Sequence, residues 1–256
     1  MIFRRTRKRT DETELDDVSP ELEESAAAEG DEESAAPADE AAEADEGGLD
    51  LTALDARDWR TQGPFDISEV DDVEGSAEMP RIDLGSMVLA GFPGAELRLQ
   101  MSEETQQIVS AMLIHDDSAL ELGAYAAPRS GGLWSELREE IMAGATEAGG
   151  SASLAEGPFG VELRRLIPVT TPEGEQGYQP SRMWVAEGPR WLLRGIVYGQ
   201  AALEEGLDSP VAEMLTAFRS VIVRRGDEAM APGDLLPLVM PQNLVAADEA
   251  AEEPAS

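Results

Sequence analysis

The run Arg182-Met183-Trp184-Val185-Ala186-Glu187-Gly188-Pro189-Arg190-Trp191-Leu192-Leu193-Arg194-Gly195-Ile196-Val197-Tyr198-Gly199 decides the fold class. Two segments rich in apolar residues, Arg182–Ala186 and Trp191–Gly199, flank the turn-forming Glu187-Gly188-Pro189-Arg190. That spacing reads as a β-hairpin. So short a connection has no room for a crossover helix, so the two strands must run antiparallel.

Working upstream, Val161–Val169 is a further strand, joined through a tip at Pro172-Glu173-Gly174. Before it, Leu133, Leu137, Ile141 and Ala145 repeat every four residues, and Trp134 widens the stripe. Glu136, Glu139 and Glu140 fall on the other side, and Gly149-Gly150 ends the segment. This predicts an amphipathic helix over Leu133–Ala148. Earlier still, Arg81–Val88 alternates, and Glu96–Met101 places Leu97, Leu99 and Met101 on one face. Gln107–His115 is apolar on both faces and reads as a central strand. It turns at Asp116-Asp117-Ser118 into a strand over Ala119–Ala126. Downstream, Ser209 as N-cap and Pro210 at the first helical position predict a second helix with the stripe Val211, Met214, Leu215 and Phe218. Val221-Ile222-Val223 closes the domain as a strand. The expected fold is α+β: a mostly antiparallel sheet of about six to eight strands carrying two amphipathic helices, preceded by a long disordered acidic arm.

Charge separates that domain from its flanks. The chain holds 53 acidic and 19 basic residues in 256. Residues 11–50 carry 18 acids and no base, while 51–242 carry 31 acids and 14 bases, a net of -17. Residues 10–57 contain no aromatic, and Val18 is their one β-branched apolar residue. Such a segment buries too little apolar area to offset an ordering cost of roughly 1–2 kcal/mol per residue. The expected organisation is a disordered arm over 1–57, basic and then acidic, a single globular domain over 58–242, and a disordered acidic tail over 243–256.

Several function classes drop out. Nucleic acid is not expected as a partner, because its binding rests on neutralising phosphates with Lys and Arg. With no cysteine, disulfides, thiolate metal sites and Cys nucleophiles are excluded. No stretch approaches the length of a membrane helix. Arg4–Arg9 is basic but is followed at once by acids, so neither a secretion signal nor stable membrane association is expected, and the cytoplasm is the default compartment.

Six segments carry a family resemblance: Gly63-Pro64-Phe65-Asp66, Pro80–Ser86, Ala127–Trp134, Glu156–Gly160, Gly188–Gly195 and Arg225–Pro232. Over about residues 60 to 240 the chain resembles an actinobacterial family, domain of unknown function 3710. The resemblance implies membership and no activity. More loosely, the closing hairpin, helix and short strand resemble the Mog1/PsbP-like fold, a likeness that carries no function.

Candidate chemistry is sparse. His115 is the one histidine and, with Asp116 and Asp117 beside it, could act as a base or metal ligand. A packed residue at a strand end is the plainer reading. Asp66, Glu69, Asp71, Asp72 and Glu74 miss the spacing of a calcium loop and read as a solvated linker. Gly131-Gly132 precedes a helix, so its N–H groups could hold an anion with Arg129 alongside. Trp134 and Trp191 each follow an arginine, Arg129 and Arg190, in a Gly-rich turn. These four form the speculative ligand site: a guanidinium holding an anionic, nucleotide-like group beside a flat ring. The competing reading makes both tryptophans core anchors. No catalytic residue, metal or cofactor is assigned.

The expected function is a cytoplasmic, non-catalytic binding or scaffolding module. One alternative is an enzyme or sensor for a small anionic ligand in the Arg/Trp pocket. Another is a docking partner for a basic protein, engaged through the acidic arm. Nothing in the sequence fixes an oligomeric state.

Overall fold

The structure, a computed structural model, describes residues 48–76, 81–171 and 174–241. The expected arm up to residue 47 and the expected tail lie outside the described residues, as does the hairpin tip at Pro172-Glu173. Within residues 48–57, assigned to the arm, three side chains are instead tied to the domain. Asp50 caps helix α1 (Leu51–Asp55), whose Leu54 is buried. The Asp55 carboxylate holds Arg138 at 2.6 and 2.9 Å. Arg57 donates to the Gly157 carbonyl at 2.9 Å. Composition averaged over the arm hides this segment because its partners lie about a hundred residues away.

In chain order there follow β1 (Phe65–Asp66), β2 (Arg81–Asp83), β3 (Met87–Ala90), β4 (Glu96–Met101), β5 (Ile108–His115) and β6 (Ser118–Ala126). Helix α2 (Leu133–Glu147) leads to β7 (Ser151–Gly157), β8 (Gly160–Thr170), β9 (Gln176–Gly188) and β10 (Trp191–Gly199). Short α3 (Gln200–Leu203), α4 (Val211–Arg219) and β11 (Ile222–Val223) complete the described elements. The long sheet is seven-stranded and wholly antiparallel, in the order β4-β5-β6-β10-β9-β8-β7. It is two meanders, β4–β6 and β7–β10, joined where β10 pairs with β6. A second sheet, β1-β11-β3-β2, is mixed, since β1 runs parallel to β11.

Two details differ from expectation. The run Arg81–Val88 is not one strand but a β2–β3 hairpin, reversed at Gly85, which takes a positive φ of 84°. The second helix begins at Val211 with Pro210 at its N-cap, while the Ser209 hydroxyl donates to Glu213 instead of capping.

Strand alternation sorts the side chains into two cores. Trp191, Leu193 and Val197 of β10 join Leu120, Leu122 and Ala124 of β6 on one face. That face packs against Met214, Leu215 and Phe218 of α4 and against Met87, Leu89 and Val223 of the small sheet. Gly195 is needed there: a Cβ would stand 2.5 Å from the Phe218 ring. The opposite face places Leu163, Met183, Val185, Leu192 and Ile196 under Leu133 and Trp134 of α2. Helix α2 packs chiefly on β7, β8 and β9 on this face.

Candidate functional site

Of the four residues expected to share a pocket, the two tryptophans lie on opposite faces of the sheet. Trp191 is fully buried in the first core, where its indole N–H donates to Asp66 Oδ2 at 2.8 Å. Trp134 lies in the second core and donates to the Val161 carbonyl at 3.1 Å. Arg190 sits at φ 63°, in the left-handed region, at the β9–β10 turn. Its carbonyl accepts from Ala127 N–H at 2.9 Å and from Arg225 Nε at 3.1 Å, and its Nη2 donates to Gly226 O at 3.3 Å. Arg129 is exposed on the loop before α2. A cavity of about 190 Å³ has Trp134, Asp55, Trp59, Phe159 and Glu187 in its lining and none of the other three.

The N-terminus of α2, open in the sequence to an external anion, is served by the chain itself. Glu187 of β9 accepts from Gly132 N–H at 2.7 Å and from Trp134 N–H at 2.5 Å. A carboxylate there satisfies free N–H groups and meets the positive end of the helix dipole. Asp66 likewise is no solvated linker residue. It is buried, and with Glu69 it forms a reciprocal cap on the short turn Ile67–Glu69. Burial would push its carboxyl up. Hydrogen bonds from the Ser68 hydroxyl and backbone and from Trp191 outweigh this and hold it below its ordinary 3.8.

His115 closes β5 at the two-residue turn into β6. Its ring lies 5.1 Å from the Phe92 ring, and Nδ1 is 3.7 Å from the exposed Asp116. Among the described residues no group of three or more His, Asp or Glu is placed to hold a metal ion.

Two arginine–carboxylate clusters were not singled out in the sequence. The first is closed. Glu162 of β8 accepts from Arg182 Nε and Nη2, each at 2.9 Å, from Arg164 Nε at 2.9 Å, and from the Trp184 indole at 2.6 Å. Arg182 spends Nη1 on the carbonyls of Glu204 and Gly206, at 2.9 Å each. Arg164 and Arg182 face each other across β8 and β9, so the carboxylate between them relieves their repulsion.

The second cluster lies on the opposite face, centred on β6 and β10 and joined there by Arg165 of β8. Arg194 of β10 holds its guanidinium 5.0 Å from the Tyr125 ring centre, and Nη2 is 3.8 Å from Glu121 Oε1. That ring lies across Gly123, where a Cβ would stand 3.1 Å from the Tyr125 hydroxyl. The Tyr198 hydroxyl donates to Glu121 Oε2 at 3.1 Å. Burial, then the Glu121 charge and this hydrogen bond, push the Tyr198 hydroxyl up to about 12. Arg165 of β8 stands in the same electrostatic neighbourhood, and burial lowers its affinity for its proton. The sequence signal for this cluster is parity. Leu192, Arg194, Ile196 and Tyr198 share a strand face, so two polar residues interrupt an apolar row.

A concavity of about 600 Å³, mainly apolar, lies between the small sheet and α4, with Arg81, Ala90, Phe92, Thr216 and Ala217 in its lining. No described helix is long and apolar enough to cross a membrane.

Comparison with known proteins gives a family and a fold neighbour. A family model described as protein of unknown function (DUF3710) matches residues 63–247, close to the span of the six segments noted in the sequence. No curated protein matches the chain. Among solved structures, the solution structure of cyanobacterial PsbP (CyanoP) from Synechocystis sp. PCC 6803 is similar at a TM-score of 0.35 and 13% identity, covering 58% of this chain and 94% of that one.

Proposed function

The chain belongs to the DUF3710 family, and from that premise we propose a cytoplasmic, non-catalytic binding or scaffolding module that meets its ligand on the large sheet around β6 and β10. One observation carries this reading. Arg165, Arg194, Tyr125, Tyr198 and Glu121 gather on the face where α2 packs chiefly on β7, β8 and β9, and of the five only Arg165 comes from one of those strands. Elsewhere the strongest polar groups are spent on the fold: Glu162 on two arginines, Glu187 on α2, Asp66 on Trp191, Asp55 on Arg138. Partly buried arginine and tyrosine gathered outside the apolar core are the residue types that dominate binding hot spots.

The test is cellular. Arg194→Gln is expected to abolish the protein's role while its melting temperature stays within a few degrees of wild type. His115→Gln is expected to leave that role intact. Loss of function in His115→Gln at normal stability would replace this reading with an enzyme or a metal site.

A second reading rests on the 18 acids that residues 11–50 carry without a single base. We propose that this segment docks on a basic protein partner. Association would then slow steeply as salt rises. A pull-down whose yield is unchanged after residues 10–50 are neutralised would argue against it. Nucleic acid and stable membrane association stay outside the proposal, because a domain at net -17 repels a surface of many phosphates.

A further inference from the structure

The charges of the open cluster do not balance. Two guanidinium groups, Arg165 and Arg194, share one carboxylate, Glu121, and Arg194 meets it only at 3.8 Å. Among the described residues the Arg165 side chain makes no hydrogen bond or ion pair. Its Nε is buried without a partner, and so is that of Arg194. The terminal nitrogens of Arg165 are not among the buried unpartnered atoms, so they reach solvent. Arg165 stands opposite buried Ser181 of β9, which fixes its stem on the sheet.

In so acidic a domain an arginine ordinarily finds a carboxylate. At the closed cluster Arg182 makes four hydrogen bonds and Arg164 two. Holding a guanidinium half-desolvated with no acceptor costs free energy that a bound anion would return. Its planar fork matches a pair of oxygens on one carboxylate or phosphate. Glu121 is already engaged by the Tyr198 hydroxyl, and Arg194 is held over the Tyr125 ring, so both flanks of Arg165 are preorganised.

We propose that Arg165 and Arg194 form a binding site for a small oxyanion, a phosphate or carboxylate group, on the face of the seven-stranded sheet that carries α2. The proposal rests on the binding-module reading and names the ligand class for that face. Arg165 supplies the free fork. Arg194 supplies a second positive charge, held in place by Tyr125 and Glu121. The Tyr125 and Tyr198 rings wall the site on its β6 and β10 sides.

Calorimetric titration of the full chain at low salt tests it, with inorganic phosphate and, separately, succinate as probes. Saturable binding of at least one probe is expected. Which probe binds tells a phosphate from a carboxylate ligand. In Arg165→Gln the affinity should fall about tenfold or more, the weight of one charge-assisted hydrogen-bonded pair. Arg165 has no partner to strand, so the melting temperature should hold. Arg165→Lys keeps the charge without the fork and should lose part of the affinity. Arg98→Gln, on the exposed Arg98–Glu96 pair of β4, should change nothing. Absence of binding by either probe, or equal binding in Arg165→Gln, overturns the site. If neither probe binds and Arg194→Gln still abolishes the cellular role at normal stability, this inference falls and the binding-module reading stands. If phosphate binds and Arg194→Gln is harmless in cells, the site stands and that reading falls.

Discussion

Glu162 and Glu121 sit on opposite faces of one sheet, each beside two arginines and an aromatic donor, yet they end in different states. Glu162 is fully buried and every donor around it is aimed at it. Glu121 keeps one hydrogen bond and one long ion pair, and a neighbouring arginine goes unserved. The difference follows from what lies above. Glu162 packs under Trp184 and the loop carrying Glu204 and Gly206, whose carbonyls complete Arg182. The Glu121 side chain keeps 17% of its surface exposed, and none of the described backbone carbonyls completes the arginines beside it. A satisfied buried network holds a fold together, whereas an unsatisfied one at a surface leaves donors for something else.

The comparison can be broken most severely at its closed end. Glu162→Gln removes the charge that Arg182 and Arg164 share, leaving buried cation without compensation. A loss of about 3–5 kcal/mol is expected, read as a lowered urea midpoint at unchanged slope. A loss below about 1 kcal/mol would show that the network does not hold the sheet. Trp191→Phe, on the same face, strips one donor from Asp66 and should cost about 1.5–3 kcal/mol at neutral pH. Because the Asp66 carboxyl titrates below its ordinary 3.8, the stability it contributes is present above that value and lost as pH falls through the lower folded value. The gap between wild type and Trp191→Phe should therefore narrow in acid, which melting curves at pH 7 and pH 3 would show.

At the open end the same kind of change should do far less. Glu121→Gln breaks a long, partly solvated ion pair and should cost about 1 kcal/mol or less. A cost equal to that of Glu162→Gln would erase the distinction between the two clusters. Smallest of all at pH 7 is Tyr198→Phe. Its hydroxyl is raised from 10.0 to about 12, so the folded state holds the proton longer than the unfolded chain does. The stability this contributes is complete below pH 10 and lost as pH rises through 12. Tyr198→Phe should track wild type at neutral pH and lose less stability between pH 10 and pH 12.

How far the sequence carries depends on how far apart the partners lie. Helix α2 and strands β4 to β6 and β10 could be read because each has its own period and its own turn residues. Strand β7, Ser151-Ala152-Ser153-Leu154-Ala155-Glu156-Gly157, could not: its small side chains give no alternation, and its strand character comes from pairing with β8. The two tryptophans look alike on paper, each after an arginine in a glycine-rich turn. One belongs to a helix and the other to a strand, and nothing local says that they meet opposite faces. The open cluster draws on β6, β8 and β10, and only their pairing order brings Glu121, Arg165 and Arg194 together. Glu187 looked like a turn residue, and its role as the cap of α2 depends on a contact 55 residues away in sequence.

The parallel pairing of β1 with β11 bears on how the protein is made. Phe65 lies opposite Ile222, 157 residues later in the chain. The segment after β11 then returns to β6, where Leu236 N–H donates to Ala124 O at 2.8 Å. A ribosome adding about 5–20 residues per second needs on the order of ten seconds or more to cover that distance. From the time Leu120 and Leu122 are made, the first core stands open, lacking α4 and β11. The nascent chain must therefore keep a large apolar sheet face from other chains until α4 and β11 have emerged.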